Sequence, residues 1–573
     1  MIKFLTIHLL LLILPIHLFS QSVITCDFQS PLNIPLSLSS NYGELRVAHF
    51  HAGIDFKTQG VTGKPVFAAC NGYVSRIKVQ RGGYGKALYI THLNGYTTVY
   101  VHLDKYVPEI EEFVINSQYS RKSYEIELFP SKDHFIIEKG ELIGYSGNTG
   151  YSFGPHLHFE IRKTVGQIPV NPLKFNLSVE DNIRPEFISL YSYSYPTEEP
   201  VAMGGSERQF FSVIKRNDST YIVDQIIECL DNYIGFGAEV YDFLNGSSNR
   251  CGIYLLQMKV DDIPRFMFQI DAISFANSRY ADAHMDFELK TEEGRSVHRL
   301  FTLPNNLLPI YSPALENGLL YFADDSVHKC EIIALDAYGN QSSLVFSCKA
   351  VRNRSVLFTP TDISTLLSWK KGGSFSIDNF TISIPPKALY QDIYFSAEKI
   401  AGDGDLHSDT FKVHKSSEPL GIGITITAKL DSVKNGIDDK LLFARLNGSN
   451  KLIAEGGEFR NGILTLTTRN FGNYVIVADT TAPVVKPVSF RSGGKYTRSQ
   501  SIIFQVEDDL SGIQTYNAFI DNQWALLEYD AKSGMLTYTI DPVRLEEGKL
   551  HEIEIVVDDV KNNLCKYNGK FEY

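Results

Sequence analysis

Residues 154–161 of this chain read Gly-Pro-His-Leu-His-Phe-Glu-Ile and alternate between polar and apolar side chains from His156 onward. Such alternation predicts a β-strand with His156, His158 and Glu160 on one face and three apolar side chains on the other. The apolar face then needs a hydrophobic core, and the opposite face would carry two imidazoles roughly 6–7 Å apart. Because neutral imidazole is a common metal ligand and a general base near neutral pH, the strand indicates a metal or catalytic site. A lone His-x-His pair also occurs by chance.

The length and composition of the chain favour several β-rich domains. At 573 residues the chain is too long for one hydrophobic core. The 31 Tyr and 36 Phe, together with Val, Ile and Thr, are typical of strands, so the predicted fold class is mainly β. The net charge is −12 and no long basic run is present, which argues against nucleic acid as a partner.

The first 20 residues are predicted to be a secretory signal peptide. Lys3 provides a positive start, residues 4–19 form an apolar run slightly short for a membrane span, and Ser20-Gln21 offers a small-residue cleavage point. An uncleaved N-terminal anchor is the alternative. No other apolar run reaches membrane length. We therefore expect an exported protein, in the periplasm or at the cell surface, with no membrane span after cleavage.

The seven cysteines contain no Cys-x-x-Cys pair, which argues against a structural zinc site built from thiolates. In an exported protein, Cys229 with Cys251 and Cys330 with Cys348 could form disulfides. The odd number leaves at least one thiol unpaired within the chain.

A second motif with metal-ligand chemistry lies at residues 47–56, Val-Ala-His-Phe-His-Ala-Gly-Ile-Asp-Phe. On a straight strand the Cα atoms of His51 and Asp55 would be roughly 13 Å apart, too far to share one ion. Gly53 permits a bend that could fold the pair around a metal. Taken alone, the motif favours an ordinary turn with a capping Asp.

A third motif, residues 96–103, is Tyr-Thr-Thr-Val-Tyr-Val-His-Leu. It predicts a strand on which His102 shares parity with Tyr100. The turn Tyr-Ser-Gly-Asn-Thr-Gly at 145–150 comes just before the His-x-His strand. No lysine follows its glycines as in a phosphate-binding loop, so we interpret them as turn residues.

Four elements therefore follow one another: His51-x-x-x-Asp55, Tyr100-Val-His102-Leu, Gly-Asn-Thr-Gly at 147–150, and the His-x-His strand. This order resembles the M23 metallopeptidases, the lysostaphin- and LytM-like peptidoglycan endopeptidases. The resemblance covers about residues 48–173, under a third of the mature chain. It implies an antiparallel β catalytic domain that cuts peptide cross-links in bacterial peptidoglycan.

The resemblance also implies the roles of five residues. His51, Asp55 and His158 match the three Zn²⁺ ligands of the family, and His102 and His156 match its catalytic histidines. Two imidazoles and one carboxylate leave one open position on a tetrahedral zinc ion, which is typical of a catalytic site. We hypothesise that one of His102 and His156 accepts a proton from the attacking water while the other hydrogen-bonds the developing oxyanion. The sequence does not assign the two roles.

Three features near the site leave alternatives open. Glu160 could orient a histidine from behind, or it could be an exposed strand carboxylate. Residues 104–139 make a longer link than the family pattern has. This link could wall the substrate groove, or it could be a surface excursion without a role. The segment 21–46 could also lie across the metal and inhibit the enzyme.

Beyond the linker at residues 181–185 the chain looks all-β, with acidic turns that recur faintly around Asp242, Asp336, Asp508 and Asp558. Strands broken by such turns suggest immunoglobulin-like sandwiches. The Asp clusters could bind Ca²⁺, although solvated turn carboxylates are the commoner interpretation. The predicted organisation is a signal peptide (1–20), an M23 peptidase domain (21–177), an immunoglobulin-like β domain (178–350), a β domain (351–480) and a second immunoglobulin-like β domain (481–573).

The predicted function is that of an exported zinc metalloendopeptidase. Its partners would be the stem peptides and cross-bridges of peptidoglycan, and an envelope protein is a further possible partner. The alternative is a non-catalytic LytM-like adaptor that binds or activates other wall hydrolases. A polysaccharide-binding adhesin built on the β modules is a third interpretation and has only composition behind it.

Overall fold

The computed structural model describes residues 28–195, 201–202, 208–230, 233–312, 315, 317–351, 364–401, 408–430, 436–498 and 500–573. Within these residues the protein is mainly β, as predicted, with 45 strands and three α-helices. The predicted signal peptide and Cys26 lie outside the described residues. No helix in the described ranges has the length and apolar character needed to cross a bilayer.

The N-terminal region, residues 28–179, is organised around an 11-stranded sheet whose main path runs β1-β4-β12-β8-β7-β6-β10. Every strand pair along that path is antiparallel. Two short strands, β2 and β3, form a separate ribbon beside it. The elements are β1 Leu38–Ser40, β2 Leu45–Arg46, β3 His49–Phe50, β4 Ile54–Lys57, β5 Pro65–Phe67, β6 Gly72–Val79, β7 Lys86–His92, β8 Tyr96–Tyr106, α1 Pro108–Arg121, β9 Ile126–Leu128, β10 Ile136–Ile137, β11 Leu142–Ser146, β12 His156–Lys163 and β13 Ile168–Val170.

Strand β12 is the predicted His-x-His strand, and the structure confirms its alternation. Leu157, Phe159 and Ile161 are each 0% exposed and belong to the main hydrophobic core. The ring of Phe159 packs against Phe56 and Tyr100, with centroids 6.2 and 5.3 Å away. The apolar face thus anchors β12 between β4 and β8, and this leaves its other face free for polar residues.

The next region adds a four-stranded sheet, β16-β14-β19-β22, and a six-stranded sheet, β17-β18-β24-β23-β20-β21. Its apolar side chains join those of the N-terminal region in one continuous core that extends from Phe28 to Ala350. The elements are β14 Glu186–Tyr195, β15 Val201–Ala202, β16 Arg208–Ser212, β17 Ile214–Lys215, β18 Thr220–Leu230, β19 Tyr233–Tyr241, β20 Leu255–Val260, β21 Ile263–Gln269, α2 Ala281–His284, α3 Phe287–Glu293, β22 Val297–Arg299, β23 Val327–Leu335 and β24 Gln341–Val351.

Two sandwiches with separate cores follow. The first has two five-stranded sheets, and the second, which we call the last sandwich, has a four-stranded and a five-stranded sheet. In each, inward side chains of both sheets form one cluster. The limits of the four predicted domains remain predictions. The strands are β25 Thr365–Leu367, β26 Gly373–Ile377, β27 Phe380–Ile384, β28 Asp392–Phe395, β29 Ala397–Ile400, β30 Thr410–Val413, β31 Ile424–Lys429, β32 Leu441–Leu446, β33 Leu452–Gly456, β34 Glu458–Arg460, β35 Ile463–Thr468, β36 Gly472–Ala478, β37 Val484–Pro487, β38 Gly494–Lys495, β39 Ser501–Glu507, β40 Ile513–Ile520, β41 Gln523–Ala525, β42 Glu528–Asp530, β43 Met535–Thr539, β44 Leu550–Asp559 and β45 Leu564–Glu572.

The six cysteines that the structure describes are all free thiols, so it contains neither disulfide that the sequence suggested. The Sγ atoms of Cys330 and Cys348 lie 3.7 Å apart on the neighbouring strands β23 and β24. Cys229 lies beside Cys348, because β18 pairs in parallel with β24. This pairing separates Cys229 from its suggested partner Cys251.

The long link at residues 104–139 forms α1 and two short strands on the edge of the sheet, and α1 is a docking surface for the last sandwich. Trp524 packs edge-to-face on Tyr119, with ring centroids 5.3 Å apart. The guanidinium of Arg544 lies 3.7 Å from the centre of the same Tyr119 ring, and Arg544 also donates a hydrogen bond to Asn116. The groove-wall role of the link remains a prediction.

We expect Trp524→Ala to loosen this docking. Removing one partner of an edge-to-face aromatic pair should make the backbone amides of α1 exchange about two- to tenfold faster. Hydrogen–deuterium exchange followed by mass spectrometry measures this on peptides that cover residues 108–121. Phe129→Ala is the matched control, because Phe129 is an aromatic residue of the same link that is 70% exposed. Unchanged exchange in Trp524→Ala would show that the contact does not hold α1.

Candidate active site

The structure brings the three predicted metal ligands together on one side of the sheet. His51 Nε2 lies 3.2 Å and His158 Nδ1 lies 2.8 Å from Asp55 Oδ1. The two histidine nitrogens are 3.0 Å apart. All three residues are buried. Their register explains the convergence, since Asp55 on β4 lies directly opposite His158 on β12.

Gly53 allows His51 to reach this site, although for a different reason from the one the sequence suggested. A Cβ atom at position 53 would lie 2.4 Å from the carbonyl oxygen of Phe159. The chain between β3 and β4 therefore passes directly against β12, and only glycine fits there. Close approach, more than conformational freedom, accounts for the glycine.

The outer nitrogen of each ligand histidine is occupied by an acceptor, which fixes the ring and its tautomer. His51 Nδ1 donates to the carbonyl oxygen of Asn41 at 2.8 Å. His158 Nε2 donates to Glu160 Oε1 at 2.9 Å. His51 Nε2, His158 Nδ1 and Asp55 Oδ1 therefore converge as three potential electron-pair donors, and a proton or a cation can lie among them. This arrangement fits a cation, and two imidazoles with one carboxylate are a donor set that suits Zn²⁺.

Glu160 is completely buried and acts from behind the site, so it is not an exposed strand carboxylate. Tyr84 Oη donates to its Oε1 at 2.5 Å, and Arg162 Nε donates to its Oε2 at 2.6 Å. Burial by itself would raise the pKa of Glu160, but the charge of Arg162 and the hydrogen bond from His158 lower this pKa to about 2. Glu160 therefore remains a carboxylate that holds the His158 ring in place.

The charges around His158 show what the site attracts. Burial lowers the pKa of His158, but the carboxylates of Asp55 and Glu160 outweigh burial and raise this pKa to about 9. Burial likewise works against an ionised Asp55, yet His51 and His158 hold its pKa well below the ordinary value. The pocket thus favours a positive charge next to Asp55, and a metal ion would take the place of the proton on His158.

His102 reaches the site through a β-bulge. Tyr100 faces the main core, and Val101 faces the opposite side in a small separate cluster. Strict alternation would return His102 to the core side, as the shared parity with Tyr100 implied. Instead β8 gains one residue relative to β7, and His102 adopts a left-handed backbone with φ of 60°. The bulge therefore turns its ring towards the histidines of β12.

His102 and His156 form a pair beside the three predicted ligands. Their ring centroids are 4.8 Å apart. His102 Nδ1 donates to the carbonyl oxygen of Thr149 at 2.7 Å, and His156 Nδ1 donates to that of Gly154 at 2.8 Å. Both Nε2 atoms are thereby left as acceptors, and His156 Nε2 lies 3.6 Å from Asp55 Oδ1.

Both histidines of this pair are neutral near pH 7. Burial, with His158 and His156 nearby, lowers the pKa of His102 to about 3. Burial also lowers the pKa of His156, although the charge of Asp55 opposes it. Two neutral imidazoles at this position can accept a proton or, once protonated, donate one.

The turn that supports these histidines is held by the last sandwich. Lys532 Nζ donates to the carbonyl oxygen of Ser152 at 3.2 Å and also to that of Asn148. Ser152 Oγ lies 3.1 Å from His156 Nδ1. The same turn contains Thr149, the acceptor for His102. Lys532 therefore braces both histidines through the backbone of the turn at 148–152.

Sequence reasoning found all five candidate residues but missed several of their supports. Arg162 could have been found, because it continues the alternation of His156, His158 and Glu160 along β12. No local sequence pattern marks Tyr84, Asn41 or Lys532 as a residue that supports the site. Each comes from a distant part of the chain, and only the fold places it at the site. Inhibition by residues 21–46 stays a prediction.

We expect Glu160→Gln to weaken metal binding about 10- to 100-fold, because a neutral amide holds the His158 ring in the required tautomer less well. Competition with a chromophoric chelator measures the affinity. Glu112→Gln is the matched control, since Glu112 is an exposed carboxylate on α1 of the same domain. Equal metal affinity in Glu160→Gln and in the unmodified chain would rule out an orienting role.

Comparison with known families identifies two parts of the chain. Residues 49–119 and 126–172 match the model of peptidase family M23. Residues 364–479 match the model of the Zu5-like domain. The part of the chain that carries the five candidate residues is therefore an M23 domain, as its motifs predicted.

Two similar proteins each match about a quarter of the chain. The chain is 34% identical over 133 residues to the DD-carboxypeptidase/endopeptidase Mpg of Neisseria meningitidis, which covers 23% of this chain and 24% of that protein. It is 29% identical over 160 residues to the peptidoglycan DD-endopeptidase ShyA of Vibrio cholerae, which covers 27% of this chain and 30% of that protein. The chain thus spans about a quarter of the length of these relatives.

Two solved structures also match about a quarter of the chain. The catalytic domain of the prophage-encoded M23 protein EnpA from Enterococcus faecalis is 26% identical, with a TM-score of 0.19, and the alignment covers 25% of this chain and 95% of that one. A zinc-containing peptidase from Vibrio cholerae is 25% identical, with a TM-score of 0.20, and the alignment covers 27% of this chain and 41% of that one.

Proposed function

We propose that the M23 domain is a zinc-dependent endopeptidase that hydrolyses peptide cross-links of bacterial peptidoglycan. The observation that carries the proposal is the convergence of three buried lone-pair donors, His51 Nε2, Asp55 Oδ1 and His158 Nδ1, beside a second pair of neutral histidines. A metal site and an acid–base pair in contact are the two parts that metal-assisted peptide hydrolysis needs.

The substrate class comes from the relatives. Mpg and ShyA are named as endopeptidases, and the name of ShyA specifies peptidoglycan. Because the alignments cover about a quarter of each relative, we carry over the reaction type and propose the substrate. Export to the periplasm or the cell surface follows from the predicted signal peptide and is part of the same proposal, since peptidoglycan lies outside the cytoplasm.

In the proposed mechanism His51, Asp55 and His158 hold the zinc ion. When bound, zinc supplies Lewis-acid chemistry that polarises the scissile carbonyl and acidifies water. Glu160 and the carbonyl of Asn41 keep the ligand nitrogens aimed at the metal. The bulge at His102 and the turn at 148–152 keep the other two histidines facing the same space.

His102 and His156 provide the proton transfer. Each has a free Nε2 acceptor, because the Nδ1 atom donates to a backbone carbonyl. One accepts the proton of the attacking water and later delivers it to the leaving amine, which is general base and then general acid catalysis. The other is positioned to hydrogen-bond the oxyanion that develops on the scissile carbonyl. It takes the Nε2 proton that this requires from solvent, because both rings are neutral in the substrate-free site. The geometry suits either assignment of these roles.

We expect His102→Ala and His156→Ala each to lower the rate of cross-link cleavage about 100- to 10,000-fold while one zinc ion stays bound. Purified peptidoglycan is incubated with the chain, with and without a chelator, and the released muropeptides are identified by mass spectrometry. Zinc content is measured on the same samples. His158→Ala should lose both zinc and cleavage, because it removes a ligand.

His134→Ala is the matched control, since His134 is an exposed histidine of the same domain. It should retain both zinc and activity. Loss of zinc in His102→Ala or His156→Ala would contradict the proposed division between ligands and acid–base residues. Zinc without cleavage in the unmodified chain would instead support a non-catalytic adaptor.

We expect Lys532→Ala to slow cleavage about threefold to tenfold, because the turn at 148–152 loses a charged hydrogen-bond donor. The effect should fall on kcat with zinc content unchanged, since Lys532 contacts neither the ligands nor the substrate bond. Steady-state kinetics on a soluble cross-linked muropeptide separate kcat from KM. Lys486→Ala is the control, a lysine of the same sandwich that pairs with Glu507 at the surface. An unchanged kcat in Lys532→Ala would contradict the bracing role.

A further inference from the structure

Two groups of three aspartates lie outside the active site and have the same structural arrangement. The first aspartate triad is Asp181, Asp242 and Asp336, and the second is Asp479, Asp508 and Asp559. In each triad one carboxylate oxygen of every member lies within 4.8 Å of the other two. The recurring acidic turns of the sequence thus meet in space, whereas solvated turn carboxylates would lie apart.

The two triads are assembled from equivalent parts of the fold. Asp181 precedes β14 in the linker that enters its β region, and Asp479 occupies the same place before β37. Asp336 and Asp559 each begin the turn of a hairpin and are followed four residues later by Asn340 and Asn563. The two asparagines make the same hydrogen bonds. Asn340 Nδ2 donates to Asp181 O at 3.3 Å and to Asp336 Oδ2 at 2.6 Å. Asn563 Nδ2 donates to Asp479 O at 3.0 Å and to Asp559 Oδ2 at 2.7 Å.

The first triad brings three carboxylates together without an ion pair among the described residues, although Lys174 lies near enough to interact electrostatically with Asp336. Asp242 and Asp336 are each only 2% exposed. In the part of the chain that the structure describes, no Lys, Arg or His lies within 4.0 Å of the carboxylates of this triad. Burial, with Asp336 and Asp181 nearby, raises the pKa of Asp242 well above its ordinary value. Three carboxylates held this close together, two of them buried and none in an ion pair, repel one another.

Hydrogen bonds satisfy Asp336 but leave one oxygen on each of the other two carboxylates without a donor. Asp242 Oδ1 and Asp181 Oδ2 are buried atoms with no hydrogen-bond partner among the described residues. Buried acceptors without donors are rare in folded proteins and call for an explanation such as an ion. The first triad thus combines a nearly fully buried, unpartnered carboxylate with two more carboxylates at ligand distance.

We propose that the first triad, Asp181, Asp242 and Asp336, binds a Ca²⁺ ion. All three donors are carboxylate oxygens, which hard cations such as Ca²⁺ prefer, and no imidazole or thiolate contributes as a softer metal would favour. Asp181 is partly exposed, which leaves an open side where water can complete the coordination. In the second triad the oxygen without a hydrogen-bond partner belongs to the partly exposed Asp508, whereas in the first triad the buried Asp242 has such an oxygen. The proposal therefore commits to the first triad alone.

The ion would join the linker to the β region that follows it. Asp242 comes directly after β19 and Asp336 directly after β23, whereas Asp181 belongs to the linker between the M23 domain and β14. Binding would therefore hold the linker against the ends of two strands. It would thereby fix the position of the M23 domain relative to the β region. This inference is independent of the proposed peptidase activity.

Isothermal titration of the full chain with CaCl₂ tests the proposal. The unmodified chain should bind Ca²⁺, and Asp242→Asn should bind one ion fewer or bind it at least about tenfold more weakly. Asp181→Asn, a change in a partly exposed residue, should have the same effect and covers the case in which Asp242→Asn does not fold. Asp262→Asn is the matched control, because this side chain is 85% exposed in the same region.

Thermal unfolding gives the second measurement. Saturating Ca²⁺ should raise the Tm of the unmodified chain and of Asp262→Asn but not that of Asp242→Asn. Without Ca²⁺, the Tm of Asp242→Asn should equal or exceed that of the unmodified chain, because one repelling charge is gone. Equal Ca²⁺ binding by the unmodified chain and both triad variants, or no Ca²⁺ response in the unmodified chain, would overturn the proposal. The latter result would mean that a proton, rather than an ion, neutralises the triad.

Discussion

The antiparallel pairing of β12 with β4 on one side and β8 on the other is the constraint on which the candidate site depends. The pairing places His158 opposite Asp55 and opposite Val101 at the same level of the sheet. A shift of one residue would turn the histidines into the core and the apolar side chains outwards. Phe159, on the core face of β12, holds this register, because such a shift would end its packing against Phe56. Apolar packing on one face therefore fixes metal-ligand geometry on the other.

The strand that carries two histidines and the identity of all five candidate residues could be predicted from local pattern and motif order. The alternation of β12 is a strong periodic signal, and it was confirmed. The direction of His102 was not predictable in this way, because a bulge and a left-handed backbone reverse its parity. The reason for Gly53 also became visible only with β12 beside it. Periodicity describes a strand in isolation, whereas these features arise from its neighbours.

Long-range contacts account for most of what the sequence did not reveal. The link at 104–139 was recognised as unusual. Its contact with Trp524, however, joins residues about 400 positions apart, and no sequence pattern around either residue indicates it. The aspartate turns were recognised as a faint repeat, and solvation was the preferred interpretation. The fold instead gathers aspartates in groups of three, each with two buried members, which changes their electrostatic environment. Burial of a polar residue depends on tertiary structure, and composition gives little information about it.

The contact between Lys532 and the turn at 148–152 has a consequence for the order of events during synthesis. The hydrogen bond to Ser152 joins residues 380 positions apart in the chain. All strands of the N-terminal sheet lie within residues 38–170. The lysine that braces the turn at 148–152 does not exist until almost the whole chain has been translated. Closing so long a loop comes late in folding. The histidine pair is thus fully supported only in a finished molecule, and a nascent or truncated chain would carry the same residues in a looser arrangement.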